Sequence, residues 1–226
     1  MSFVIKTTIN PEDPANFIIA SILKQLELGK HVLFFVTGGS SVDVGVKVAQ
    51  LLRDNPRQNL TKNLTIMLTD ERYGLLGHQD SNWQQLLEKG FSLPLAKSIP
   101  ILTEDSPDIT TEKFKENLER EFKTAEYKIG LFGVGADGHT SGILPESGAV
   151  DSLDLAYSYD TPTFSRITTT LKAIGKLDEV VAWIQGENKW NIIENLKGKD
   201  IDIMKQPAQV FKKVPLLTIF TDYKNR

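Results

Sequence analysis

Ile129-Gly130-Leu131-Phe132-Gly133-Val134 runs without a break into Gly135-Ala136-Asp137-Gly138-His139-Thr140-Ser141-Gly142-Ile143-Leu144-Pro145. The first six residues are short and apolar and read as a buried strand. The residues after them form a glycine-rich loop that carries an Asp and a His two positions apart. In an open α/β sheet, ligands and chemistry gather in loops at the carboxyl ends of the strands. Outward from this stretch the same pattern repeats. His31–Val36, Leu64–Leu68, Tyr127–Val134, Arg166–Leu171, Glu179–Gln185 and Val214–Phe220 read as strands. Pro14–Leu28, Val42–Arg53, Ser81–Lys89, Thr110–Thr124 and Trp190–Leu196 read as helices, with Ser81 and either Thr110 or Thr111 as N-caps. Such alternation predicts an α/β fold with a mainly parallel sheet covered by helices. With no low-complexity linker and no internal repeat, a single domain over residues 1–226 is expected.

Composition narrows the function classes. Hydrophobic residues make up 40% of the chain, ample for a core, and 24% are charged. A net charge of −3, with no basic run interleaved with aromatics, argues against a nucleic-acid partner. The chain has no cysteine, which removes thiolate nucleophiles, disulfides and Cys-ligated metals and fits a reducing cytoplasm. The N-terminus shows no basic region followed by a long apolar stretch, so no signal peptide is expected. No window approaches the roughly 18 apolar residues that a membrane span needs. The three histidines, His31, His78 and His139, form no i,i+4 pair, so no metal site is expected.

Four polar segments follow predicted strands and should converge on one pocket. Gly38-Gly39-Ser40-Ser41 lies between a strand and a helix and reads either as a phosphate cradle or as a tight turn with a Ser cap. It lacks the Gly-Lys-Ser/Thr of a nucleotide P-loop. Asp70-Glu71-Arg72 places two carboxylates and a guanidinium on one turn, a ligand-contacting group or a solvated charged loop. Asp137-Gly138-His139 offers a general base with a carboxylate to orient it. His31 and His78 fit ordinary surface or strand-start positions. Arg166 and Lys189 are single cations near strand ends; together with a helix N-terminus they suit a phosphate dianion. Gly133, Gly135 and Gly138 also match Gly-x-Gly-x-x-Gly, but Gly142 and Pro145 interrupt the helix that a dinucleotide fingerprint must open. A Gly-x-Ser-x-Gly nucleophile elbow is absent.

Taken in order, Thr37-Gly38-Gly39-Ser40, Asp70-Glu71-Arg72 with His78-Gln79-Asp80-Ser81-Asn82, Gly133 through Thr140 with Leu144-Pro145, Arg166 through Leu171, and Gly186-Glu187-Asn188-Lys189 resemble the 6-phosphogluconolactonase family. That resemblance implies a Rossmann-like three-layer αβα sandwich shared with glucosamine-6-phosphate isomerases/deaminases. It implies hydrolysis of 6-phospho-D-glucono-1,5-lactone to 6-phospho-D-gluconate in the oxidative pentose phosphate pathway. His139 is then the base and Asp137 its orienting partner, while Gly38, Gly39, Ser40, Asp70, Arg72, Arg166 and Lys189 bind substrate. No cofactor is implied, the partner is a small sugar-phosphate lactone, and the chain is expected as a monomer or weak homo-oligomer in the cytoplasm. The deaminases carry Glu-Pro where this chain has Leu144-Pro145, and an aromatic in place of Arg72, which favours the lactonase. Ser41-Val42, Tyr73-Gly74 and Ala136 depart from the lactonase pattern without removing a chemical group. The competing readings are the deaminase, a non-catalytic sugar-phosphate-binding protein, and a nicotinamide-dependent enzyme resting on the glycine match.

Overall fold

In the computed structural model, residues 2–224 are described. The elements run β1 (Ser2–Thr7), α1 (Glu12–Glu27), β2 (Val32–Val36), α2 (Val42–Arg53), β3 (Leu64–Leu68), β4 (Asp70–Arg72), α3 (Asn82–Glu88), β5 (Lys97–Ile99) and α4 (Pro107–Thr124). The second half continues β6 (Tyr127–Gly133), β7 (Ala156–Asp160), β8 (Ser165–Thr169), α5 (Leu171–Ile174), β9 (Glu179–Ile184), α6 (Trp190–Gly198) and β10 (Leu216–Thr221). Among the described residues, seven strands form one sheet in the order β1-β10-β9-β6-β2-β3-β5. Every pairing in it is parallel.

Both faces of this sheet are covered. All five residues of β2 and all six of β9 are buried, the continuous pattern expected of a parallel strand packed on two sides. The connections β1→β2, β2→β3 and β3→β5 advance one way across the sheet, and those from β5 to β6, β9 and β10 return the other way. Right-handed crossovers therefore put α1–α3 on one face and α4–α6 on the other. In keeping with this, α1 packs on α2 and α2 on α3, while α5 and α6 both meet the Pro207–Lys213 turn. The direction of travel reverses between β2 and β6. That is the switch point where the two loops leaving the sheet diverge and open a crevice.

Two expectations change. Asp70–Arg72 is a short strand rather than a turn, and the strand read at Arg166–Leu171 is β8, outside the main sheet. Together with β7 they build a second, antiparallel sheet ordered β4-β8-β7. Thr110 and Thr111 do not cap α4. The helix starts at Pro107 with Ser106 as its cap, whose hydroxyl accepts from Ile109 N–H. Proline at the first helical position lacks only an N–H that would be unpaired there anyway. Ser81 does cap α3, its hydroxyl accepting from Gln84 N–H at 3.1 Å. No helix among the described residues is long and apolar enough to cross a membrane.

Candidate active site

The order β9-β6-β2-β3 sets four loops side by side along the carboxyl edge of the main sheet. Lys189 follows β9, His139 follows β6, Gly38–Ser40 follow β2, and Asp70–Arg72 follow β3. Arg166 arrives from β8, which pairs with β4 so that Arg72 stands directly opposite Arg166. These residues line one cleft of about 210 Å³, joined by Thr37, Asn82, Gly133, Val134, Gly135, Ser141 and Gly142. Of the nine candidate site residues only Asp137 is not part of its wall; it stands behind His139.

Glycine geometry builds the loop after β6. Gly138 adopts φ +84° between Asp137 and His139, a turn that L side chains rarely make. The turn is closed by Gly138 N–H donating to Gly135 O at 3.0 Å and Gly135 N–H donating to His139 O at 2.9 Å. A Cβ on Gly135 would lie 2.2 Å from the His139 ring, so glycine there is what lets the imidazole fold back over the chain. The ring nitrogen Nδ1 sits 2.7 Å from Asp137 Oδ1, and the same oxygen accepts the His139 backbone N–H at 3.0 Å. Burial pushes the Asp137 carboxyl up, but the backbone N–H, the charge and the ring N–H of His139 outweigh it and hold it below the ordinary carboxylate range. Ionised Asp137 can only accept, so Nδ1 carries a proton, and in the neutral imidazole Nε2 is then the nitrogen with the free lone pair. These glycines shape the turn that carries His139. No α-helix follows Gly133 before α5, and the nicotinamide reading loses its structural ground.

Strand alternation splits the Asp70-Glu71-Arg72 triplet. Asp70 and Arg72 point to the cleft and Glu71 points away, fully buried. Its carboxylate accepts from Arg72 N–H (2.7 Å), Asn82 N–H (2.6 Å), Trp83 N–H (3.0 Å) and the Ser81 hydroxyl (2.9 Å). Burial raises the Glu71 carboxyl above its usual range, against the pull of those four donors. Glu71 thus ties α3 to β4, and Asn82 completes the tie by donating Nδ2 to Asp70 O at 3.0 Å. Glu71→Ala strands three backbone N–H groups and a hydroxyl, and a loss of about 3 kcal/mol in unfolding free energy is expected. A urea titration measures it; a midpoint equal to that of the unsubstituted protein would contradict this anchoring role.

Positive charge dominates the cleft wall. Arg72 Nη1 donates to Asp80 O at 2.9 Å, and His78 Nε2 lies 3.0 Å from Arg72 O. Arg166 Nη1 keeps a loose 3.8 Å contact with Asp70 Oδ2. Burial lowers the Lys189 ammonium from its usual range, with Asp222 acting in the opposite sense. Lys189 makes no ion pair within 4.0 Å among the described residues. Gly39, at φ +62°, turns the chain into the Gly39–Ser41 3-10 turn that leads into α2, so the amino end of that helix faces the cleft. Arg72 Nε, Arg166 Nε, Asn82 Oδ1 and Ser141 Oγ are buried without a hydrogen-bond partner among the described residues. Native interiors seldom leave such groups unmet, and ordered water or a polar ligand in the cleft would complete them.

Asn82, Ser141 and Gly142 were not singled out as site residues from the sequence. Ser141 and Gly142 hold φ +52° and +66°, and a Cβ on Gly142 would lie 2.7 Å from Asp70 Oδ2. A positive φ at a serine carries no mark in the sequence. Asn82 could have been found from its place in Ser81-Asn82 just past a cap, but only the fold shows it reaching the glycines after β2.

The switch-point crevice, the self-contained His–Asp pair and the cationic wall belong to a recognisable group of α/β proteins. The chain belongs to the glucosamine-6-phosphate isomerases/6-phosphogluconolactonase family, whose profile matches residues 12–218. It is similar to the 6-phosphogluconolactonase of Aggregatibacter actinomycetemcomitans, 26% identical over 194 residues that cover 83% of this chain and 82% of that one. Its fold is similar to the crystal structure of 6-phosphogluconolactonase from Thermotoga maritima, with a TM-score of 0.82, 21% identity, and 97% and 99% of the two chains covered. A monomeric glucosamine-6-phosphate deaminase is also similar, with a TM-score of 0.77, 16% identity, and 96% of each chain covered. The fold is therefore common to both activities, and the choice between them rests on side chains.

Proposed function

We propose that this protein hydrolyses 6-phospho-D-glucono-1,5-lactone to 6-phospho-D-gluconate, the lactone-opening step of the oxidative pentose phosphate pathway. The observation that carries the reading is His139 on the wall of a cationic cleft, bonded to Asp137 at 2.7 Å. Ester hydrolysis asks for a base and groups that hold the substrate; His139 with Asp137 offers the first, and the Arg72, Arg166 and Lys189 wall the second. The similar protein of Aggregatibacter actinomycetemcomitans is a 6-phosphogluconolactonase, which supports the same reaction here.

Arg166, Lys189 and the amino end of α2 at Gly39 and Ser40 hold the phosphate, with Arg72 beside Arg166. Binding energy from that remote group fixes the ring so that C1 faces His139. Nε2 of His139 takes a proton from water as the water oxygen attacks C1. The tetrahedral centre collapses, the bond from C1 to the ring oxygen breaks, and that oxygen receives the proton back from Nε2. Asp137 stays ionised and stabilises the imidazolium between the two transfers. Asp70, hydrogen-bonded to the Thr69 hydroxyl at 2.9 Å, is placed to accept from a sugar hydroxyl.

The deaminase reading is weaker for a specific reason. Position 144 is Leu, and the next carboxylate, Glu146, is exposed and outside the cleft wall. Moving protons between sugar carbons calls for a further acid or base at the ring, and this loop supplies none beyond the His–Asp pair. Freshly generated 6-phosphogluconolactone, followed against its spontaneous hydrolysis, tests the assignment. Turnover far above background is expected, with no ammonia released from glucosamine 6-phosphate. Ammonia release without lactone turnover would reverse the order of the two readings.

A further inference from the structure

Arg72 and Arg166 face each other across the β4–β8 pair. Like charges directly opposite in an antiparallel ladder repel and destabilise it. Neither guanidinium has a close carboxylate partner: Arg72 makes no ion pair among the described residues, and the Asp70 contact of Arg166 is 3.8 Å. Both nevertheless hold one place, and a single ring is common to them. The Phe164 ring centroid lies 5.4 Å from the guanidinium carbon of Arg72 and 5.9 Å from that of Arg166.

Phe164 is itself fixed. It ends the β7–β8 turn, where its N–H donates to Thr161 Oγ1 at 3.0 Å and its carbonyl accepts from Thr161 N–H at 2.8 Å. The next residue accepts Tyr73 N–H through Ser165 O at 2.8 Å, locking the turn to the strand that bears Arg72. Phe164 is not among the residues that line the cleft. Its π-face offers both cations an attraction that no carboxylate supplies, and it does so without adding negative charge that would repel a phosphate.

We infer that Phe164 is a positioning residue that holds Arg72 and Arg166 together as one preformed grip for the phosphate dianion. This rests on the sugar-phosphate reading of the cleft and adds a cause for the grip's geometry. Without the ring, the two guanidiniums relax apart toward solvent, and the substrate must gather them on binding. That cost falls on capture and leaves the His139 chemistry untouched.

The test compares Phe164→Leu, which keeps bulk and loses the π-face, with Phe164→Tyr, which keeps both. The probe is 6-phosphogluconate binding by calorimetry, alongside lactone kinetics and a thermal melt. Phe164→Leu should raise the Kd and KM about five- to tenfold, the effect expected of one or two cation–π contacts, with kcat within about twofold. Phe164→Tyr should restore both constants. Equal binding by Phe164→Leu and the unsubstituted protein would overturn the inference and leave the sugar-phosphate reading standing. So would failure of Phe164→Tyr to rescue, or a fall in kcat without a change in KM. If the unsubstituted protein binds no 6-phosphogluconate, the reading itself falls and takes the inference with it.

Discussion

His139→Ala is expected to lower kcat for lactone hydrolysis by about 10³-fold while leaving KM and the unfolding midpoint nearly unchanged. General-base catalysis contributes about 10²–10⁴-fold, and this histidine serves as base in the attack and as acid in the ring opening. The loss should not extend to binding, because the ring contributes no positive group to the cationic wall when Nε2 is unprotonated. Folding should survive because the His139 side chain is 40% exposed and bonds only Asp137 among the described residues. Stopped-flow or coupled spectrophotometry on fresh lactone, corrected for spontaneous opening, reads the result. Turnover equal to that of the unsubstituted protein would remove His139 from the mechanism and leave water activation to Asp70.

Much of this candidate site is legible in the sequence, and the reason is topological. In a parallel sheet the strand ends carry the ligand loops, so finding apolar runs followed by Gly38-Gly39, Asp70, Asp137-Gly138-His139 and Lys189 also locates a shared edge. The long buried strands β2, β3, β6 and β9 announce themselves by continuous apolar runs. The edge strands β1 and β5 do not, because a strand exposed on one side or only three residues long has no such run. The second sheet was hidden for another reason. Its strands β4 and β8 are short and polar on one face, and their pairing brings residues nearly a hundred positions apart into register. Local pattern contains nothing of that pairing. The opposition of Arg72 and Arg166, the burial of Glu71 and the reach of Asn82 to the glycine turn all follow from it.

Glu71 shows how a charged triplet divides its labour. Read as a turn, Asp70-Glu71-Arg72 has three equivalent polar groups. Read as a strand, period two sends the outer pair to the ligand and the middle residue to the scaffold. The middle carboxylate is the one that anchors α3, and α3 in turn presses Asn82 against Gly38, where a Cβ would lie 2.0 Å from Asn82 Oδ1. Site and support are thus interleaved residue by residue.

Arg166→Leu is expected to raise KM by about 10²-fold or more with kcat changed only modestly. A charge-assisted bond to a phosphate contributes up to about 3 kcal/mol, which corresponds to roughly two decades in affinity. The same substitution at Lys189 should also raise KM, since that ammonium lines the same cleft. Arg166 carries a second consequence through Asp70. That carboxylate is 5% exposed, and Arg166 is its one cationic neighbour within 4.0 Å among the described residues. Removing the guanidinium leaves a buried negative charge facing the incoming dianion, so lost attraction is compounded by repulsion. Asp70→Asn in the Arg166→Leu background should therefore recover part of the lost affinity, although Asp70→Asn alone should not improve binding. A four-cornered cycle of 6-phosphogluconate affinities measures the coupling. Strictly additive effects would mean that the two residues act on the ligand independently, and that the 3.8 Å contact between them carries no energy.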